Sequence, residues 1–360
     1  MYKAILSIFL SLLAVCIFLE IMFRVLPVSD RLEHLPVNAA QPIFHYAPNR
    51  LFHISIGQTF QIRTVKRTNN RGFFSDMDFV ADTACRKVAF IGDSFVEALQ
   101  VANPLTVHAR LNALLPAGHC VYGIGSSGSA LSQYVAYARY AVEAFDPQEL
   151  VFLIYANDFE QSVLGYDDRP GHHYYDSAFR LVRKDHSRSR VRDLASHSAF
   201  IRYLYLHLKV MAPQRRRRPQ AAGTDSFAQI RQDARIRSSM AVTDHFLRDI
   251  RAIAGQRPVY LLIDGIRSEI YRDPDAVDNP QGFVRKMYGY ISRRAGEEGF
   301  TAVDLDPVFR AHYAANRQRF EFPTDGHWNA LGHAVAAAAL AAAMENRIDG
   351  SNTDHAPLRQ

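Results

Sequence analysis

The sequence lacks most of the features that would narrow its function class at once. It has only three cysteines, and its histidines, cysteines and carboxylates do not follow the spacing of a metal site. Its formal charge of +6 is modest. This charge is compatible with anionic surfaces or substrates, but it does not by itself indicate nucleic-acid binding. Internal repeats and long low-complexity tracts are missing, and the ordinary composition excludes wholesale disorder. With 360 residues, the chain can form one large α/β domain or two small ones.

Long apolar runs are also rare, and the one that exists lies at the N-terminus. Residues 4–23 are apolar except for Glu20 and two serines, and Lys3 precedes them. About 20 such residues suffice to span a bilayer, and Lys3 favours an N-terminus inside with the rest of the chain outside. We expect an uncleaved signal anchor over residues 1–27. The alternatives are a cleaved signal peptide, for which no good small-x-small site exists, and a buried core helix.

This placement leaves two cysteines outside the membrane. Cys85 and Cys120 each stand at the start of a short apolar segment that is typical of a strand. If the two strands are parallel neighbours, both thiols lie at the same edge of the sheet, in a compartment that permits disulfides. We therefore predict a disulfide between them; two unrelated buried thiols are the alternative.

From residue 87 onward, apolar strand-like segments alternate with helical patterns. Predicted strands are 87–91, 120–124, 150–155, 258–263 and 300–304. Predicted helices are 105–115, 129–144, 226–254, 281–298 and 328–345. Such alternation predicts an α/β fold with a parallel five-stranded sheet. Ligands bind beyond the carboxyl ends of such strands, where Ser94, Gly125, Asn157 and Asp264 stand.

Two regions do not follow this alternation. Residues 28–84 form an irregular lead-in with a short strand at 60–65. Residues 160–225 are interpreted as an insertion, partly a cap and partly a linker, with a helix at 200–211. We expect its His172 and His173 to be surface residues rather than metal ligands. We expect the four arginines at 215–218 to lie in a solvated loop, with contact to anionic lipid headgroups or an acidic polymer as the alternative.

A Gly-Asp-Ser sequence follows the first predicted strand of the sheet. Gly92 permits a tight turn, and Ser94 then begins a helical pattern. A serine at this position is well placed as a nucleophile, because the strand fixes it and the helix N-terminus favours negative charge. The alternative is that Asp93 and Ser94 only cap the helix.

A second polar pair lies more than 200 residues downstream, just before the last predicted helix. Asp325 and His327 stand two positions apart on a loop shaped by proline and glycine. A serine hydroxyl needs a histidine to take its proton, and that histidine needs a carboxylate to orient it. His333, further along, is expected to be structural. Asn157 is either an oxyanion donor or the first residue of an Asx-type turn, and Asp158 is placed to brace its loop.

Together these stretches resemble the SGNH (GDSL-type) hydrolase superfamily over residues 85–345. The matching blocks are Gly-Asp-Ser-Phe at 92–95, a glycine turn at 123–128, Asn157-Asp158, and Asp325 with His327. The resemblance implies a flavodoxin-like three-layer α/β/α sandwich. It also implies that Ser94 is the nucleophile, His327 the general base and Asp325 its orienter. The implied oxyanion hole consists of the Ser94 and Gly125 N–H groups and the Asn157 side chain.

The sequence departs from the usual pattern of the superfamily at several positions. Phe95 replaces the commoner leucine, Tyr155 stands where many members have glycine, and Gly123 replaces an asparagine. Asp325 and His327 are two apart rather than three, which is similar to the branch that acetylates exported polysaccharides. The stretch at 69–73 resembles the lead-in of membrane-anchored members. The implied boundaries are 85–347 for the SGNH domain and 348–360 for a polar tail.

These features predict an extracytoplasmic, membrane-anchored serine esterase that acts through an acyl-enzyme. The expected substrate is an O-acyl ester of a cell-envelope carbohydrate, and no cofactor or nucleic acid is expected. In a Gram-negative host the domain would be periplasmic. The first alternative is an O-acetyltransferase that modifies an exported polysaccharide and works with export machinery. The alternative of another class is a non-catalytic polysaccharide-binding protein.

Overall fold

The computed structural model describes residues 2–166, 168–187, 189–210, 225–272 and 282–353. In chain order the strands are β1 (Leu51–Ile56), β2 (Ile62–Arg67), β3 (Arg86–Gly92), β4 (His119–Gly125), β5 (Glu149–Ile154), β6 (His173–Tyr175), β7 (Leu181–Arg183), β8 (Val259–Ile263), β9 (Thr301–Asp304), β10 (Glu321–Phe322) and β11 (Asp325–Trp328). The helices are α1 (Tyr2–Val25), α2 (Ser94–Glu97), α3 (Val107–Leu114), α4 (Leu131–Phe145), α5 (Asp158–Gln161), α6 (Arg190–Ala195), α7 (Ala199–Arg202), α8 (Asp225–Ala254), α9 (Arg267–Arg272), α10 (Phe283–Glu297), α11 (Leu305–Asn316) and α12 (Ala330–Thr353).

The five predicted strands form one parallel sheet in the order β4-β3-β5-β8-β9. This is the flavodoxin-like order, in which the first strand lies between the second and the third. All six residues of β5 are buried, which explains why these strands appear in the sequence as continuous apolar runs. The predicted α/β fold with a parallel five-stranded sheet is therefore confirmed.

Helices cover both faces of this sheet, which gives the three layers. Ala89 and Ile91 of β3 pack into a cluster with residues of α4, α8 and α10. Val88 and Phe90, the alternate residues, pack into a second cluster with α3, α11 and α12. Since successive side chains of a strand point to opposite faces, one strand contributes to both cores.

The structure corrects several predicted boundaries. The lead-in contains an antiparallel pair, β1 with β2, of which β1 was missed. The strand predicted at 60–65 begins only at Ile62, since Phe60 has φ 58°. The last helix begins at Ala330 rather than 328, because the Asn329 side chain accepts hydrogen bonds from the Leu331 and Gly332 N–H groups. It continues to Thr353, so the predicted tail begins as helix; residues 354–360 lie outside the described residues.

Cys85 and Cys120 are joined by a disulfide, with their Cα atoms 5.8 Å apart. Cys120 lies opposite Lys87 in the parallel register of β3 and β4. The two thiols thus meet at the amino ends of adjacent strands, as the strand pattern indicated. Cys16 is free and exposed on α1.

The insertion contains two parts with different neighbours. Its first part forms the antiparallel pair β6–β7, and this corrects the expectation of surface histidines. His172 and His173 are only 4% and 8% exposed, because His172 packs against Phe44 and His173 hydrogen bonds to Gln133. Burial lowers their pKa values to about 3 and about 4, respectively, so both rings are neutral.

The second part of the insertion comprises α6, α7 and a π-helical turn at Tyr203–His207. This part replaces the single helix predicted at 200–211. The four arginines at 215–218 lie outside the described residues.

The N-terminal helix α1 has 24 residues. It contains an 18-residue window with a mean hydropathy of 2.7, and no residue of that window is buried. By length and composition it is able to cross a membrane. Signal sequences share these properties with membrane anchors.

Candidate active site

The turn between β3 and α2 positions Ser94. The Asp93 side chain accepts a hydrogen bond from the Phe95 N–H over 2.9 Å and so caps α2. Asp93 is only 2% exposed, whereas Ser94 is half-exposed at the first position of the helix. The local sequence therefore buries the capping carboxylate and leaves the serine hydroxyl accessible.

Ser94, His327 and Asp325 are brought together from opposite ends of the domain. His327 Nε2 lies 2.8 Å from Ser94 Oγ, and His327 Nδ1 lies 2.5 Å from Asp325 Oδ1. Asp325 and His327 belong to β11, which pairs with β10 rather than forming the predicted open loop. The three side chains make the hydrogen-bonded chain of a Ser-His-Asp triad.

Electrostatics favour a specific protonation pattern in this chain. Burial alone lowers the pKa of His327, but the hydrogen bond and charge of Asp325, with the charges of Asp93 and Glu97, raise it above its ordinary value. Burial raises the pKa of Asp325, yet hydrogen bonds from His327 and Gln100 hold it below its ordinary value. Asp325 is therefore a carboxylate that accepts a hydrogen bond from the Nδ1–H of His327. This leaves Nε2 of the neutral imidazole to accept a hydrogen bond from the serine hydroxyl.

A buried ion pair supports β11, the strand that carries His327. Asp264 follows β8, is fully buried, and accepts hydrogen bonds from Trp328 Nε1 (3.1 Å) and Arg267 Nη2 (3.2 Å). Arg267 Nη1 also donates to the Gly326 carbonyl oxygen over 2.9 Å. The sequence predicts Asp264 at this edge of the sheet, whereas Arg267 was not predicted. The available signal was an Asp-x-x-Arg spacing directly after a predicted strand.

Phe95, one of the departures from the usual pattern, forms an apolar wall beside the histidine. Its ring centroid lies 5.0 Å from that of His327, 4.6 Å from Tyr155 and 5.1 Å from Trp328. Tyr155 stands at a second departure position. The larger side chains at positions 95 and 155 therefore pack against each other, and Phe95 in turn packs on the imidazole ring.

The three predicted oxyanion-hole residues lie at the carboxyl ends of three adjacent strands. Gly125 ends β4 opposite Gly92, and a Cβ atom there would come within 2.8 Å of Val96 Cβ and 3.0 Å of the Asp93 carbonyl oxygen. Asn157 follows β5 and precedes α5; its Oδ1 atom is buried and has no hydrogen-bond partner among the described residues. Asp158 accepts hydrogen bonds from the Tyr155 N–H and the Tyr134 hydroxyl, and so braces this loop.

Glu97, on the same short helix as Ser94, is a further residue of the site that was not predicted from the sequence. It is 2% exposed, and it accepts hydrogen bonds from the Ser127 N–H, the Ser127 hydroxyl and the Tyr46 hydroxyl. Burial raises its pKa. Glu97 therefore ties the lead-in and the glycine turn after β4 to the helix of the serine. His333 is buried and accepts a hydrogen bond from the Val107 N–H, which is a structural role.

An open cavity of about 440 Å³ lies beside Asp325. It is lined by Arg319 and by residues 321–326, the segment that includes Asp325. A ligand in this cavity would therefore contact the β10–β11 segment.

Comparison with solved structures finds matches at low identity and low TM-score. A lipase/acylhydrolase from Enterococcus faecalis is 13% identical, with 73% of this chain and 96% of that chain covered at a TM-score of 0.41. A G-D-S-L family lipolytic protein from Veillonella parvula is 14% identical, with coverages of 70% and 94% and a TM-score of 0.39. A two-domain esterase active on acetylated mannans is 13% identical, with coverages of 73% and 49% and a TM-score of 0.38. At these values the likeness does not extend to substrate or mechanism.

No curated protein sequence matches the chain. A family model does match: residues 226–359 fit the SGNH hydrolase-like domain of the acetyltransferase AlgX. The matched segment includes Asp325 and His327, but it begins after Ser94 and does not include it. The match confirms the resemblance to the SGNH hydrolase superfamily, with its relation to O-acetylation proteins, and supports esterase or acyltransferase chemistry.

Proposed function

We propose that the protein is a serine-dependent enzyme that forms an acyl-enzyme on Ser94 from an O-acyl ester. The observation that carries this proposal is the continuous hydrogen-bonded chain from Ser94 Oγ through His327 to Asp325. A serine that only caps a helix does not need a histidine within hydrogen-bond distance of its hydroxyl. Likewise, a histidine with a purely structural role does not need a serine hydroxyl at its Nε2 atom. The pair is the arrangement that general-base catalysis needs.

The reaction proceeds in two halves. Ser94 Oγ attacks the ester carbonyl carbon while His327 Nε2 takes the hydroxyl proton, and the tetrahedral intermediate expels the alkoxide, which receives that proton. A hydroxyl-bearing acceptor then gives its proton to His327 and attacks the acyl-enzyme, and Ser94 recovers its proton as the acyl group leaves. The Ser94 and Gly125 N–H groups and the Asn157 amide are assigned to the oxyanion of both intermediates.

The acceptor distinguishes two functions on this one site. With water as acceptor, the enzyme is an esterase on O-acylated carbohydrate of the cell envelope. With a sugar hydroxyl, it is an O-acetyltransferase of an exported polysaccharide, working alongside export machinery. The family match over residues 226–359 and the Asp-x-His-Trp spacing favour the second candidate.

We place the catalytic domain outside the cytoplasm, held by α1 in the membrane. Lys3 precedes the apolar segment, which supports an inside N-terminus. The Cys85–Cys120 disulfide supports an oxidising compartment.

The test is burst release of p-nitrophenol from p-nitrophenyl acetate by the purified chain. Ser94→Ala is expected to abolish the burst and to lower turnover by at least about 10³-fold. Ser177→Ala, at an exposed turn between β6 and β7, is the matched control and should behave as the unmodified protein. Equal rates in Ser94→Ala and the unmodified protein would refute the nucleophile assignment.

Adding an oligosaccharide acceptor separates the two functions. Acetyl capture on the sugar that outpaces acetate release identifies a transferase, whereas release into water alone identifies an esterase. Sugar binding that Ser94→Ala leaves unchanged, with no turnover on any ester, would instead identify a binding protein.

A further inference from the structure

The C-terminal part of α1 packs against the folded domain. The Glu20 carboxylate accepts hydrogen bonds from the Ala199 N–H (3.1 Å), the Phe200 N–H (3.2 Å) and the Ser198 hydroxyl (2.6 Å). The Ala199 and Phe200 N–H groups are the first two of α7, and N–H groups at this position lack partners within their own helix. A carboxylate of the N-terminal helix thus caps a helix of the insertion, about 180 residues away in sequence.

Apolar packing reinforces this contact. The Phe23 side chain is 8% exposed, and its ring lies 4.4 Å from Tyr203 and 5.5 Å from Phe200, centroid to centroid. Leu19 and Met22 of α1 pack at the edge of the same cluster. Because a flexible tether makes no such contacts, α1 and the segment after it hold a defined orientation.

This contact sets the depth of α7 relative to a membrane. The apolar stretch of α1 covers residues 4–23, and about 20 residues at 1.5 Å each match a hydrocarbon core of about 30 Å. Glu20 and Phe23 then lie at the outer boundary of that core. Since α7 is hydrogen bonded to Glu20 and packs against Phe23, it lies at the level of the lipid headgroups.

The segment at that level exposes apolar side chains that the fold does not cover. Val191 and Leu194 of α6 are 78% and 76% exposed, and their three-residue spacing places them on one side of the helix. Asp193, between them, is paired with Arg31 of the lead-in at 2.5 Å, which fixes α6 to the domain. Beyond α7, exposed apolar residues continue with Tyr205, Leu206, Leu208 and Val210.

Basic residues accompany this apolar surface. Arg192 and Lys209 are exposed next to it. Arg24, Arg63 and Arg202 line a cavity of about 640 Å³ where α1 enters the domain, together with apolar residues such as Leu26 and Val65. Exposed apolar side chains interspersed with cations are characteristic of elements that lie in the interface of an anionic membrane.

We propose that residues 189–210 form an interfacial platform, which lies in the outer headgroup layer beside α1 and binds anionic phospholipid. The platform and the membrane helix together hold the catalytic domain in one orientation at the membrane surface. The proposal rests on the proposed membrane anchoring by α1 and is independent of the chemistry at Ser94. The bilayer is chosen as the occupant because the surface is continuous with the end of a membrane-length helix and its charge is complementary to anionic headgroups.

The test uses the full chain in phosphatidylcholine vesicles that contain phosphatidylglycerol. A bimane label is placed on Leu194→Cys, in a Cys16→Ala background, and quenching by headgroup nitroxide lipid is compared with quenching by aqueous iodide. Leu114→Cys on α3, another exposed leucine, is the matched control. We expect at least about twofold stronger lipid quenching at 194 than at 114, and a loss of that difference when Glu20→Ala is added.

The other outcomes overturn the platform and remain distinguishable from a failure of the anchor. A label on native Cys16 that acyl-chain nitroxides quench shows that α1 is inserted. If 194 is then as open to iodide as 114, the platform is refuted although the anchor stands. If 194 is shielded from iodide without lipid quenching, a second copy of the chain covers it, which also refutes the platform. If the label on Cys16 is not quenched, α1 is not inserted, and both the anchor and the platform are refuted. This outcome does not depend on whether the enzyme turns over p-nitrophenyl acetate.

Discussion

Arg267 donates a hydrogen bond to the carbonyl oxygen of Gly326, the residue between Asp325 and His327. The same guanidinium is paired with Asp264, whose other oxygen accepts a hydrogen bond from Trp328, directly after the histidine. One buried ion pair at the end of β8 therefore holds the backbone carbonyl before His327 and the indole side chain after it.

Replacing this arginine should cost both stability and activity. Arg267→Met leaves the buried Asp264 carboxyl without its cationic partner, so we expect a loss of about 3–5 kcal/mol in the free energy of unfolding by urea denaturation. Arg267→Lys keeps the charge but loses the fork geometry, so its stability should fall less while kcat still drops. Arg180→Met, an exposed arginine paired with Asp176, is the control and should keep the denaturation midpoint. An unchanged midpoint in Arg267→Met would contradict this role.

The pH profile should report the Asp325–His327 pair. His327 acts as a base only when neutral, and Asp325 raises the pKa of His327. As the pH is lowered, activity should therefore begin to fall at a pH above the ordinary pKa of imidazole. Asp325→Asn removes the charge that raises this pKa. We expect kcat to fall by about 10³–10⁴-fold and the acid limb of kcat/KM to move to lower pH. Asp185→Asn, at an exposed carboxylate, is the control. An acid limb that stays in place in Asp325→Asn would contradict the pairing.

A glycine comparison should test the close approach behind the serine turn. Gly125→Ala places a methyl group 2.8 Å from Val96 Cβ and 3.0 Å from the carbonyl oxygens of Gly92 and Asp93. Overpacking of this kind costs about 1–3 kcal/mol, and here it also displaces the turn of Ser94, so turnover should fall with thermal stability. Gly289→Ala in α10 meets no atom within 4 Å and should stabilise the helix by about 0.5–1 kcal/mol. A Gly125→Ala variant with unmodified stability and turnover would exclude the predicted clash.

The disulfide should stabilise the domain without affecting the site directly. It closes a loop of 35 residues between adjacent strands, so the double variant Cys85→Ser and Cys120→Ser should lose about 2–4 kcal/mol in the free energy of unfolding. Dithiothreitol should lower the stability of the unmodified protein by the same amount and leave the double variant unchanged. A reductant effect of equal size on both proteins would point to another cause.

Local patterns carried most of the fold and the candidate site. Strands buried on both faces of a parallel sheet are continuous apolar runs, so all five were recognisable in the sequence. Ser94, Asp325 and His327 were predicted as site residues from their local sequence alone. Ser94 follows a glycine turn at the end of a strand, and Asp325 and His327 form an Asp-x-His motif beside proline and glycine. Strand β1 was missed because the surrounding lead-in is irregular, and its pairing with β2 depends on burial of Phe52 and Ile54.

The sequence by itself determined the parallel sheet, the apolar N-terminal helix and the candidate serine, histidine and aspartate, because each depends on residues close together in the chain. Only the tertiary structure decided that Ser94 and His327 lie within hydrogen-bond distance and that His172 and His173 are buried. It also decided that Arg267 supports Gly326 and that Glu20 caps α7. These contacts join residues tens to hundreds of positions apart, and no local periodicity or spacing encodes which distant side chains the packing of two cores brings together.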